Sequence, residues 1–217
     1  MQEELVIHIK EDSTVFMEIK EGKTVKTKVV SPEALIKAIK SSLTGRMVKT
    51  GLLPQHILNV TMNTENDSKY VTFEFPDSVA DITYMGTEYK NFPLPRLVFG
   101  IKISSSGRIE GVNLGVPALG KLREDTVMYF YPFSNVNRFH MCTGSNSLPH
   151  IKSLTGLDNL SRFIIRLPDN DDYFDSKHNK PNLEHRDLLE LLKDKDTKYY
   201  YDEILIPMPD TTLKDFI

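Results

Sequence analysis

The chain has 217 residues, 40% of them hydrophobic and 26% charged, with a net charge of -3. That length supports a sizeable core in one globular domain, and the slight acidity excludes a global basic field for nucleic acid. A single cysteine excludes an internal disulfide framework and fits a reducing cytoplasm, while neither a bilayer-spanning apolar run nor a basic-then-apolar leader after M-Q-E-E-L is present.

The first 30 residues read as a meander. Leu5 to Lys10 and Thr14 to Lys20 are strands joined by the turn Glu11-Asp12-Ser13. After Glu21-Gly22-Lys23 a third strand, Thr24 to Val30, alternates Val with Lys, the pattern of one wet face. Ser31-Pro32-Glu33 is a strong helix start: Ser as N-cap, Pro at the first helical position, Glu at the positive end of the dipole. Leu35, Ile36, Ile39 and Leu43 form an apolar stripe, and Gly45 is the expected stop. Lys37 and Lys40 lie opposite the stripe, as solvated charges ordinarily do.

Ile57 to Asn63 and Lys69 to Phe75 alternate about the polar turn Thr64 to Ser68, which is a hairpin signal. Pro76 to Asn91 reads as a longer connection with short strand character near Ile82 to Met85. Phe92-Pro93-Leu94-Pro95 is stiff and extended, because each proline fixes its own φ and keeps its predecessor out of helix. A buried strand, Arg96 to Ile103, turns at Ser104 to Gly107 into Arg108 to Leu114. After Cys142 the apolar period becomes helical: Leu154, Leu157, Leu160, Ile164 and Leu167, closed by Pro168. An acidic loop, Asp169 to Asp172, precedes a last helix from about Asn182 to Lys193. Tyr199 to Tyr201 and I-L-I-P-M-P make a packed extended tail. Strands, helix, strands and then helices give an α+β layout with an antiparallel sheet in the middle.

The stretch with chemical content is Thr126 to His150. An aromatic strand, Val127 to Tyr131, runs into Pro132 and an Asn-rich turn with Ser134, Asn135 and Asn137. Cys142 follows, with Thr143, Gly144, Ser145 and Asn146 behind it, so its sulfur is expected near a loop. The plain alternative is that a lone cysteine is a small buried hydrophobe. His140 lies two residues before Cys142, which on an extended segment places both on one face and would let the imidazole lower the thiol pKa. His140, Cys142 and His150 are also close enough in sequence for a metal to use, and Asp169 to Asp172 for a cation, but no H-E-x-x-H, C-x-x-C or calcium-loop pattern occurs. No phosphate loop and no serine nucleophile elbow is present. No metal and no cofactor is therefore expected.

The runs F-P-L-P-R-L-V-F-G-I, Y-P-F-S-N-V-N-R-F-H-M-C-T-G-S-N and S-L-T-G-L-D-N-L resemble the prokaryotic ubiquitin-conjugating-enzyme-like proteins of family D, which include a protein of the PRTRC systems of mobile elements. The resemblance covers residues 93–174 well and the flanks loosely. It implies one domain over 1–217: an N-terminal β extension, 1–30, on a ubiquitin-conjugating-like core, 31–217, with an antiparallel meander flanked by helices. It also implies a thioester relay. A ThiF-like activating enzyme would hand a ubiquitin-like modifier to Cys142, the first helix would dock that enzyme, and a JAB-like peptidase would complete the system. The His of the His-Pro-Asn turn found in eukaryotic relatives is missing. Pro132 is kept, and Asn135, seven residues before Cys142, is the nearest match to the oxyanion-stabilising Asn. A histidine after the cysteine, His178 in preference to His150, would assist. The competing expectation is an inactive scaffold of the same fold that binds a ubiquitin-like or other system protein.

Overall fold

The computed structural model describes residues 4–22, 24–43 and 49–217. The chain divides into two compact units, 1–49 and 50–217.

In the first unit three strands, β1 (Glu4–Ile9), β2 (Val15–Glu21) and β3 (Thr24–Val30), form an antiparallel sheet in that order. Register pairs Leu5 with Ile19, Ile7 with Met17 and Ile9 with Val15, so these six side chains share one face. The three strands and the turn at Glu11-Asp12 are those the alternation predicts, while Lys23 of the second expected turn lies outside the described residues. The following helix, α1 (Pro32–Leu43), starts as its sequence dictates: the Ala34 N–H donates to Ser31 Oγ at 3.1 Å. Ile36 and Ile39 on its stripe are exposed. The Gly45 stop lies outside the described residues.

The second unit is built on a mostly antiparallel sheet. Its strands are β4 (Ile57–Met62), β5 (Lys69–Glu74), β8 (Val98–Ile103) and β9 (Ile109–Pro117), then a small hairpin of β11 (Val136–Asn137) and β12 (His140–Met141). Their spatial order is β11-β12-β9-β8-β5-β4. β10 (Val127–Tyr129) pairs with the far end of β9 and with β13 (Pro207–Thr212). The tail thus becomes a strand of the sheet and not only a packed segment. Residues 76–91, expected as a connection, are mostly a second hairpin, β6 (Val79–Tyr84) and β7 (Thr87–Pro93). Met85 and Gly86 both carry positive φ at its turn. The period-two signal was weak because polar residues interrupt both strands.

The sheet separates two apolar clusters by the alternation of its strands. Phe99 and Ile101 on β8 face the larger cluster, and Val98 faces the smaller. Onto the larger side pack α2 (Leu157–Ile165) through Leu157, Leu160 and Ile164, and α3 (His185–Leu192) through Leu188, Leu189 and Leu192. These are the apolar stripes that the sequence periodicity predicts, though α3 begins three residues later than expected; Asn182 has a left-handed φ of 52°. The smaller side is closed by Met208, Leu213 and Phe216 from the C-terminal segment. Gly100 makes that closure possible. A Cβ there would lie 2.0 Å from the Tyr70 hydroxyl, which donates to the Phe216 carbonyl at 3.1 Å. The architecture is α+β. Among the described residues no helix is long and apolar enough to cross a membrane.

Candidate functional site

β10 leads through buried Tyr131, Pro132 and Phe133 to Asn135, and the anchoring is aromatic. The Phe133 ring meets those of Tyr131, Phe92 and Tyr200 edge-on at 5.4, 5.8 and 6.2 Å. Asn135 then adopts φ 61°, a left-handed conformation that Asn tolerates better than most residues. All of its polar backbone is used. Its N–H donates to the Asp172 carbonyl at 2.6 Å, and its own carbonyl accepts from the Cys142 N–H at 2.8 Å. The second bond closes the β11–β12 hairpin beneath Cys142.

Cys142 follows β12 directly and is half-buried, with no disulfide partner. Thr143 and Gly144 carry the chain into a turn: the Asn146 N–H and Nδ2 both donate to the Thr143 carbonyl, at 3.3 and 2.8 Å. Cys142 stands between two clefts. One, of about 300 Å³, is shared with Ile109, Gly111, Val112, His140 and Leu148. The other, of about 200 Å³, is shared with Asn135, Asn146, Asp169 and Asp172.

The second cleft has a built wall. The acidic loop after α2 is pinned to the β6–β7 hairpin, where the Asp169 N–H donates to Thr83 at 2.7 Å and the Met85 N–H to Asp169 at 3.0 Å. Asn135 Nδ2 then donates to Asp169 Oδ1 at 2.5 Å. Burial pushes the Asp169 carboxyl up to about 7, and the bond from Asn135 opposes that rise. A carboxyl tuned near neutrality, lining the same cleft as Cys142, can exchange protons at physiological pH.

Behind the loop, Asp171 Oδ1 accepts from the Tyr84 hydroxyl at 2.8 Å and meets His185 Nδ1 at 3.2 Å. His185 is only 2% exposed and stacks on Phe174 at 4.6 Å. Burial holds its pKa below the ordinary value. His185 thereby braces the loop from behind.

The structure places the expected residues unequally. Asn135 and Cys142 share a cleft and a backbone hydrogen bond. His140, exposed on β12, shares the other cleft with Cys142. His178 lies elsewhere: its ring stacks on Phe130 at 4.1 Å and lines neither cleft. His150 lines a separate groove of about 610 Å³ with Ile151, Leu160 and Phe163. Among the described residues no group of three or more His, Cys, Asp or Glu is arranged to hold a metal ion. Asp169 was visible in the sequence only as a member of an acidic loop. The Pro168 helix stop placed that loop, but its contact with Asn135 is a tertiary fact. Comparison of the chain with protein-family models, curated proteins and solved structures finds no match.

Proposed function

We propose that this chain is a ubiquitin-conjugating-like protein that accepts a ubiquitin-like modifier as a thioester on Cys142 and passes it to an amine. The observation that carries the reading is a half-buried cysteine lining two clefts, one of them walled by Asn135 and a carboxyl tuned to about 7. The α+β layout and the motif around Pro132 and Cys142 support it. Cys142 attacks the donor thioester carbonyl as thiolate. The donor sulfur leaves as thiolate and takes the proton that Cys142 gave up. In the second step a lysine amine attacks the Cys142 acyl group, Cys142 leaves as thiolate, and Asp169 takes the amine proton. The Asn135 amide or the backbone N–H groups near Gly144 supply the oxyanion contacts. A ThiF-like enzyme would load the modifier and a JAB-like peptidase would remove it.

The test supplies the protein with a cognate activating enzyme, modifier and ATP. A reducing-agent-sensitive adduct is expected on the wild-type chain and absent from Cys142→Ser; its persistence in that variant sinks the proposal. One observation favours a non-catalytic scaffold instead: the Asn135 amide is already committed to Asp169. That reading expects partner binding unchanged by Cys142→Ser and no adduct on either chain.

A further inference from the structure

The two edges of the first unit's sheet are unequal. Its order is β1-β2-β3, so among the described residues no strand pairs with the outer edge of β1 or of β3. Strand alternation puts Leu5, Ile7 and Ile9 of β1 on one face with Val15, Met17 and Ile19 of β2, while β3 offers Lys26 and Lys28 to that face. Leu5, Ile7 and Ile9 are 56%, 40% and 71% exposed. Lysine on an edge strand guards against pairing with another chain, and β1 carries no such guard on this face. The backbone of β1 is set for a partner as well. The Lys10 N–H donates to the Thr14 carbonyl at 2.9 Å, so the even-numbered residues of this strand turn their N–H and C=O groups toward β2. Leu5, Ile7 and Ile9 therefore turn theirs to the open edge.

We propose that β1 pairs antiparallel with β1 of a second copy of this chain, about a two-fold axis at Ile7, and joins the two meanders into one continuous sheet. Ile7 then faces its own equivalent, and Leu5 faces Ile9. These are the residues whose backbone groups point outward, so each such pair exchanges two hydrogen bonds and the strands share about six. Their side chains carry one apolar face across the axis. On the other face Val6 meets His8, whose ring is already stacked on Phe16 at 4.4 Å. The same operation fails at the other edge. Pairing β3 with itself about Thr27 sets Lys26 opposite Lys28 twice over, and like charges directly opposite are destabilising. Pairing β1 with β3 of the next copy leaves an open edge at each end and no closed particle. The size of the unit favours a second copy as the occupant. Residues 1–49 form the compact unit, and so few residues bury little apolar surface by themselves, a shortfall that association commonly makes up. The proposal is independent of the chemistry at Cys142.

The experiment is sedimentation velocity on the intact chain from about 5 to about 200 µM, a range suited to a small interface. Wild type is expected to move from the chain mass to twice that mass. Ile7→Lys and Ile7→Glu each set like charges across the axis, and each alone is expected to weaken the dimer at least about a hundredfold. An equimolar mixture of the two sets opposite charges there and is expected to recover the dimer. Val29→Lys, at an equally exposed position on the β3 edge, is expected to dimerise as wild type does. Hydrogen exchange on wild type needs no variant: the amides of Leu5, Ile7 and Ile9 are expected to slow about tenfold across the concentration range, and those of Val6 and His8 much less. A wild-type chain that stays monomeric overturns the proposal, as does a dimer that persists in Ile7→Lys. A mixture that stays monomeric, or growth past the dimer, overturns the two-fold register. Loss of the dimer in Val29→Lys, or exchange at Ile7 that ignores concentration, overturns the choice of edge.

Discussion

Replacing Asp169 with Asn isolates the one carboxyl that the fold tunes at the site. Its folded value of about 7 stands against an ordinary 3.8. The unfolded chain therefore releases this proton at lower pH than the folded one. The stability tied to the neutral carboxyl is complete below about pH 4 and is lost as pH rises through the window from about 4 to about 7. Each step of one in pH across that window costs about 1.4 kcal/mol, or about 4 kcal/mol in all, an upper bound because the residue is partly exposed. Asn at this position keeps an oxygen to accept from Asn135 Nδ2 and cannot ionise. The assay is urea unfolding of both proteins at pH 5, 6, 7 and 8. The stability of Asp169→Asn relative to wild type is expected to rise by about 1–3 kcal/mol between pH 5 and pH 8. His185 acts in the opposite sense, since burial lowers its pKa and its contribution is lost as pH falls. It is common to both proteins and cancels in the difference. A relative stability independent of pH would refute the assignment of a raised pKa to Asp169.

Asn135→Gly keeps the left-handed backbone at φ 61° and both of its backbone bonds, but deletes the bond to Asp169. Because that bond holds the Asp169 value down, its loss moves the pH-dependent window further up, with a stability loss of about 1–2 kcal/mol in the same urea series. Gly107→Ala forces φ 85° on a residue with a Cβ and presses it on the Ile151 carbonyl. It is expected to cost about 1–3 kcal/mol and to expose the 142–151 segment to limited proteolysis first. Arg96 grips Glu74 with Nε and Nη2 at 2.6 and 2.9 Å and reaches the Gly120 carbonyl at 2.5 Å. Lysine cannot reproduce that fork, so Arg96→Lys is expected to lose about 1–3 kcal/mol in urea unfolding, and a loss below about 0.5 kcal/mol would show the clamp to be ornamental.

Local elements were legible where one rule dominates. The meander of the first 30 residues and the Ser31 helix start follow from alternation and capping. The apolar stripes of α2 and α3 follow from helical period, and those of the second unit's sheet from period two. Legibility failed where a neighbour decides the conformation. The β6–β7 hairpin carries too many polar positions to alternate cleanly, yet Tyr84, Tyr89 and Phe92 are buried once the rest of the unit packs against them. β13 contains two prolines, Pro207 and Pro209, which weaken any strand signal; it is a strand because β10 offers it an edge.

The candidate site divides in the same way. Local sequence alone determined that Cys142 would sit where a short strand meets a polar turn, since Asn, Gly and Ser set that backbone within a few residues. Only the tertiary structure decided what shares a cleft with Cys142. Asn135 and Asp169 are 34 residues apart and meet because α2 packs on the sheet and β6 pins the loop that follows it. The carboxyl is pushed toward neutrality by burial, a property of the assembled surroundings and not of any neighbouring residue in the chain.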